Sequence, residues 1–373
     1  MDRKQVMAAD MWKRNRNPKR TTKRGGHDVT LRTKSILTAV FLFAMTSLVS
    51  GCNTALAKPE PYVPEPVSEA GVTLDWGTHV KSQALAMIDG SQKICDLDIY
   101  ELADPDILHA LEAAHQRGVD VRVIVDSTES HSQKTAVPDL RKFGVKVVSL
   151  HISHGIDHVK MLITDGDHGG VLIGGMNFGA GSWNNNDGSV YFEHPGAQFE
   201  TLFHFDWQRA QGQPAAAPKL RLPLVTDRRI QSPVVQAIQS ATTSVSMEAF
   251  DLSDRTVITA LVAAAKRGVQ VEVLLDPNQY MNEKSATTLR DAGVTVRFYR
   301  AYEHEWMHAK ILDVDNGRIF IIGSANFSHQ AYTYNHEADV VLQNVTEFDK
   351  SLQKDLSIEI ARGTDYPLKT VKY

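Results

Sequence analysis

Ile99–Asp126 reads IYELADPDILHALEAAHQRGVDVRVIVD, and 150 residues later Ala249–Asp276 reads AFDLSDRTVITALVAAAKRGVQVEVLLD. Each copy runs strand, turn, amphipathic helix, Arg-Gly-Val, strand. In the second copy Val257, Leu261 and Ala264 keep the i, i+4, i+7 spacing of a buried helix face. Asp104 and Asp254 stand at the helix starts and are expected to cap free backbone N–H groups rather than bind a ligand. Gly118 and Gly268 stand just past the helix ends, where a left-handed residue closes the last turn. The runs VRVIV and VEVLL read as buried strands. Further on, LRKFGVKVV (Leu140–Val148) echoes LRDAGVTVR (Leu289–Arg297). A long-period repeat is one structural unit used twice. Alternating strands and helices predict an α/β sandwich in each half. The expected boundaries are 72–212 for the first domain, 220–345 for the second and 346–373 for a C-terminal tail, with the join in Gln211–Lys219, rich in Ala, Gln and Pro.

The chain has 373 residues, 42% hydrophobic and 23% charged, enough for a sizeable core. Its formal net charge of −4 hides an asymmetry. Residues 1–51 hold eight more Lys and Arg than Asp and Glu, and residues 52–373 hold twelve more acids than bases. An acidic body argues against extended nucleic-acid binding, which needs a basic footprint on the phosphates.

Each repeat closes on one constellation. The first is His158, Lys160 and Asp165, then Gly174-Gly175-Met176-Asn177; the second is His308, Lys310 and Asp315, then Gly323-Ser324-Ala325-Asn326. An acid follows each histidine by 29 residues: Asp187 in Asn185-Asn186-Asp187, and Glu337 in Asn335-His336-Glu337. Histidine titrates near pH 6.5, so one imidazole can be a neutral nucleophile while another is a cationic acid.

These two H-x-K-x-x-x-x-D motifs resemble the HKD motif of the phospholipase D superfamily, and the resemblance covers about residues 72–345. It implies two repeats packed about a pseudo-twofold axis, with both motifs forming one site in one chain: a monomer with an internal pseudo-dimer. It implies two-step phosphodiester cleavage, in which one histidine attacks phosphorus and the other protonates the leaving oxygen and then activates water or an alcohol. His158 is the expected nucleophile and His308 the expected acid, by family precedent. Lys160, Lys310, Asn177, Asn326 and Ser324 are the expected phosphate donors; preorganised donors of this kind hold the charge of the transition state. With two ammonium groups to neutralise phosphate, no metal and no cofactor is expected. The resemblance makes Asp187 and Glu337 the acceptors of the imidazole Nδ1 proton, as the aspartate of a catalytic triad is. Asp165 and Asp315 are left as structural. Two departures stand out: Gly175 lacks the hydroxyl of Ser324, and Asp187 replaces the commoner Glu.

The N-terminal 1–51 is expected to be an export segment. The apolar run Ile36–Val49 follows Arg32 and Lys34 and is short for a membrane span. Leu48-Val49-Ser50-Gly51-Cys52 resembles a bacterial lipobox, with Cys52 lipidated and Asn53 directing the protein to the outer membrane. Ala55-Leu56-Ala57 offers a competing signal-peptidase site, which would give a secreted protein. Residues 52–71 include Lys58–Val67, with four prolines in ten residues, a stiff spacer before a folded body that starts near Gly71. The expected place is the cell envelope of a bacterium, facing the periplasm.

Other residues have bland expectations. Cys95 is a buried thiol. His154 and His304 each precede a motif histidine by four residues and read as loop histidines; His151 and His168 read as solvated. Trp183 and Trp306 suit either a substrate pocket or packing. The leading function is phospholipase D-type hydrolysis of phospholipid at a membrane surface. Phosphatidyl transfer of the cardiolipin synthase type and an exported nuclease are the alternatives.

Overall fold

The computed structural model describes residues 62–368, apart from 167, 303 and 304. The expected export segment, Cys52, the proline-rich spacer up to residue 61 and His304 lie outside the described residues. Those residues form two mixed sheets of the same plan. The first half contains β1 (Val67–Glu69), β2 (Val72–Trp76), α1 (Thr78–Gly90), β3 (Ile94–Ile99), α2 (Pro105–Gln116), β4 (Asp120–Asp126), α3 (Val137–Lys142), β5 (Lys146–Leu150), β6 (Lys160–Thr164), β7 (Gly170–Gly174), β8 (Gly188–Phe192) and α4 (Gln198–Ala210). The second contains β9 (Leu224–Thr226), α5 (Gln231–Gln239), β10 (Ser244–Ala249), α6 (Arg255–Lys266), β11 (Gln270–Leu275), α7 (Tyr280–Arg290), β12 (Thr295–Phe298), β13 (Lys310–Val314), β14 (Ile319–Gly323), α8 (His329–Thr333), β15 (Ala338–Gln343) and α9 (Thr346–Arg362).

The strand orders are β1-β2-β8-β7-β6-β3-β4-β5 and β12-β11-β10-β13-β14-β15-β9. In each, three strands run parallel through helical crossovers and the rest pair antiparallel. The caps fall where the sequence placed them. Asp104 accepts from the N–H groups of Asp106 and Ile107, and Asp254 from those of Thr256 and Val257. Gly118 and Gly268 adopt φ of 92° and 88°.

Three apolar clusters hold the described residues together. One fills the space under α1 and α2, another the space under α5, α6 and α7. The third joins the halves: Trp76, Met161, Ile173 and Phe203 from the first pack with Ile311, Phe320, Phe348 and Leu352 from the second. Burial at about 25 cal/mol per Å² makes this shared layer the principal adhesive between the repeats.

Two expectations at the ends are corrected. Residues 346–362 are no tail: they form α9, whose Phe348, Leu352 and Leu356 are buried in the shared cluster. They repeat α4, whose Asp206 answers to Asp355 in α9. The folded body also begins before Gly71. Val63 and Val67 pack on the shared cluster, and β1 pairs with β2. The prolines kept the strand from the eye, because proline is confined to strand edges and starts; here Pro64 and Pro66 stop just short of β1.

Candidate active site

Lys160 and Lys310 open β6 and β13, and each motif histidine sits two residues earlier, at the carboxyl-terminal ends of the parallel strands. The two halves exchange backbone there. His158 N–H donates to the carbonyl of His336 at 2.8 Å and His336 N–H to that of Ile156 at 2.9 Å. In the mirror position His308 N–H donates to the carbonyl of Asn186 at 2.8 Å and Asn186 N–H to that of Trp306 at 2.9 Å.

That exchange delivers each acid to the opposite histidine. Nδ1 of His158 lies 2.9 Å from Oε2 of Glu337, and Nδ1 of His308 lies 2.6 Å from Oδ2 of Asp187. Both carboxylates are buried. An acceptor on Nδ1 places the proton there and leaves Nε2 bare for chemistry. The 29-residue spacing found the acids but not the partners, because identical spacing in both halves fits pairing within a half as well as across them.

The second acid is braced more heavily. Ser324 donates its hydroxyl to Glu337 Oε2 at 2.6 Å, and Asn335 Nδ2 donates to Oε1 at 3.0 Å. Ser324 is fully buried, so the expectation that it holds phosphate is corrected: its one proton goes to the carboxylate. Asp187 takes instead the backbone N–H of Gly188, at 2.9 Å on Oδ1. A Cβ on Gly175 would collide with that oxygen. Gly175 is thus the room in which the shorter acid is seated.

Both lysines are buried. Lys160 Nζ donates to the carbonyl of His158 at 2.7 Å, and Lys310 Nζ to that of His308. Each also lies over an aromatic ring at 5.1 Å, Tyr100 in the first half and Phe250 in the second. The same rings flank the histidines, with centroids 5.1 and 4.7 Å away. Sequence reading missed this pair, although both stand at the same point of the repeat. Burial lowers Lys160 to about 7 and Lys310 to about 8 against the pull of the carboxylates. Burial, then the lysine charges, hold His158 well below its usual range and His308 at about 4. Burial pushes Glu337 up to about 7, opposed by Lys160 and the bonds from Ser324 and Asn335. Burial thus disfavours the charged form of both imidazoles and of both lysines, and the histidines are shifted further by the lysine charges. An arriving anion offsets the lysine charges and raises the proton affinity of both histidines.

Asn177 and Asn326 are half-buried, and the Oδ1 of each is without a hydrogen-bond partner among the described residues. Asn177, His308, Phe250 and Trp306 line a cleft of about 320 Å³. Trp306 is therefore a cleft wall. Trp183 is buried and donates to Asp104 at 2.9 Å, a packing role at that end of the ring. Asp165 accepts from the backbone N–H groups of Gln92, Lys93 and Ile94, and Asp315 from those of Thr242, Thr243 and Ser244. Burial raises these carboxylates, but the backbone bonds together outweigh it and hold them below their usual range, and so they tie down the turns before β3 and before β10. Among the described residues no three His, Cys, Asp or Glu side chains are grouped to hold a metal ion.

The family described as "Cardiolipin synthase, PLD-like domain" matches residues 84–207 and again residues 234–357. The chain belongs to the phospholipase D superfamily. Its members of similar sequence include a cardiolipin synthase 1 of Staphylococcus aureus (strain MRSA252), 24% identical over 330 residues; the match covers 76% of this chain and 64% of that protein. A phospholipase D of Rickettsia bellii (strain RML369-C) is 30% identical over 131 residues, 35% of this chain and 64% of that one. Among solved structures, the phosphatidylserine synthase of Haemophilus influenzae Rd KW20 superposes with a TM-score of 0.60 at 12% identity, covering 83% of this chain and 91% of that one. That likeness concerns the fold. The superfamily's enzymes cleave or transfer at phosphodiesters, and the chain carries the two-motif form of the site.

Proposed function

We propose that this chain cleaves phospholipid phosphodiesters through a phosphohistidine. The observation that carries the proposal is the crossed pairing, which bares two Nε2 atoms beside two buried lysines. His158 attacks phosphorus through Nε2; the N–P bond forms as the P–O bond to the headgroup breaks. His308, protonated once the substrate anion has offset the lysines, gives its proton to the departing oxygen. It then takes a proton from the incoming hydroxyl, whose oxygen attacks phosphorus and releases His158. Lys160, Lys310, Asn177 and Asn326 hold the non-bridging oxygens. Glu337 and Asp187 fix the tautomers and stabilise the imidazolium forms.

The acceptor decides between two outcomes. Water gives phospholipase D-type hydrolysis. An alcohol, such as the glycerol end of a second phosphatidylglycerol, gives phosphatidyl transfer, a reading supported by the relatives named cardiolipin synthase along most of the folded body. Tethering at a bacterial envelope through Cys52 would place either reaction beside its substrate. The test is the purified full chain in EDTA with phosphatidylglycerol, phosphatidylethanolamine or plasmid DNA. Phosphatidic acid marks hydrolysis, and cardiolipin with released glycerol marks transfer. DNA cleavage without lipid turnover would sink the proposal.

A further inference from the structure

The pseudo-twofold axis relates two cavities outside the catalytic cleft, each of about 380 Å³. Equivalent positions line them. Trp76, Gly77 and Thr78 in the first become Thr226, Asp227 and Arg228 in the second; Asn185 and Asn186 become Asn335 and His336; Tyr302 becomes Ile152. The backbone frame is retained and its chemistry is reversed. The first cavity is walled by tyrosine and tryptophan, the second by Arg209, Arg228 and Arg229.

The charges in the second cavity do not cancel. Arg209 donates to Asp206 at 2.9 Å, and His336 lies between Asp206 at 2.9 Å and Asp227 at 2.7 Å. Asp227 also accepts from the N–H of Glu337, on the same Oδ1 that meets His336, while its side chain stays 46% exposed at the cleft. Arg228 and Arg229 are exposed, and their bonds among the described residues go to neutral oxygens, the Thr333 carbonyl at 3.3 Å and the Thr226 hydroxyl at 3.4 Å. With His336 protonated the group carries four cations against two carboxylates, on a body that is otherwise acidic. The cleft continues into a smaller cavity of about 210 Å³ that shares Arg209 and Arg229 and adds Leu202, Phe205 and Pro218. Uncommitted guanidinium forks match the oxygens of a phosphate, and the apolar extension suits a chain attached to it.

We propose that this arginine-lined cleft is a second anion site, separate from the catalytic one, that takes a phosphate group either free or as the headgroup of an anionic phospholipid. Its occupancy reaches the chemistry by a short route, since Asn335 lines the cleft and bonds Glu337.

The test uses the full chain carrying His158→Ala, so that vesicle composition stays fixed. Sedimentation with phosphatidylcholine vesicles, with and without phosphatidylglycerol, is compared with calorimetric titration of inorganic phosphate. Adding Arg228→Gln and Arg229→Gln is expected to weaken binding roughly tenfold or more, as the loss of charged hydrogen bonds implies. Removing equal charge at the exposed Lys142 and Lys266 is expected to change little. Loss confined to phosphatidylglycerol vesicles assigns the lipid headgroup, loss in the phosphate titration assigns free phosphate, and both support the site. Unchanged binding in both arms, or an equal loss in the Lys142 and Lys266 control, overturns it. With His158 intact, the arginine variant should still turn over a soluble phosphodiester. A wild-type chain that cleaves none would sink the proposed function and leave the anion site standing.

Discussion

Asn186 and His336 occupy the same place in the two repeats and solve the same problem differently. Each lies beside the acid of the site, and each faces a buried aspartate on the last helix of a half. Asn186 donates its amide N–H to Asp355 at 2.8 Å, and behind it Glu248 is pushed well above its usual range by burial and by Asp355. His336 faces Asp206 and Asp227 and is held well above its usual range by those two carboxylates, against burial. One half meets its buried aspartate with a neutral amide, and the other sets a histidine between two carboxylates that favour its charged form. A duplicated fold can thus keep its catalytic groups while the support behind them is rebuilt, provided buried polar groups remain satisfied.

The largest expected effect comes from the crossed acids. Glu337→Gln keeps the shape but cannot stabilise an imidazolium on His158, and Asp187→Asn does the same to His308. Each is expected to lower kcat roughly 10²- to 10⁴-fold, by analogy with the triad aspartate. The double variant should fall little further than the worse single one, because members of one catalytic unit are non-additive. Two fully multiplicative losses in steady-state kinetics would break the idea that the halves act as one site.

A smaller effect is expected from His336→Asn, which gives the second half the device of the first. It leaves Asp206 and Asp227 with a neutral partner, and breaking a buried pair in this way costs roughly 3 kcal/mol. The sign of its pH dependence is set by the raised affinity of His336. That stabilisation is fully present below the unfolded value near 6.5 and is lost as pH rises through the higher folded value. Urea unfolding should therefore show the gap between wild type and variant at its widest in mild acid and narrowing toward alkaline pH. A gap that widens with pH would mean that His336 is neutral in the fold.

Much of this was legible because the repeat tests itself. The helix caps, the closing glycines and the four motif side chains could each be checked against a second copy. What stayed hidden follows from contacts that no local pattern encodes. The crossing of Glu337 to His158 spans the two halves. Tyr100 and Phe250 sit in ordinary strand ends, where an aromatic residue is expected in any case. The segment 346–362 has a mixed apolar face that repeats α4 only in its spacing, so without its partner helix in view it read as a tail. Gly175 looked like a lost donor because sequence lists which atoms are missing, not the space they vacate.

That space gives the smallest and sharpest prediction. Gly175 goes with Asp187, and Ser324 with Glu337; each pair fills one volume. Gly175→Ser alone adds a side chain where Asp187 Oδ1 already lies, so the carboxylate must swing off His308 Nδ1. Misplacement of a supporting group by a fraction of an ångström should cost about tenfold in kcat with little change in KM. Lengthening the acid at the same time, Gly175→Ser with Asp187→Glu, reproduces the second half's arrangement, in which serine donates to glutamate, and should recover most of the loss. If the serine alone were silent, the cavity at Gly175 would be looser than the contact implies. If the double variant were worse than either single one, the two halves would not be interchangeable at the acid, and the choice of aspartate opposite His308 would carry a role of its own, such as tuning which imidazole holds the proton.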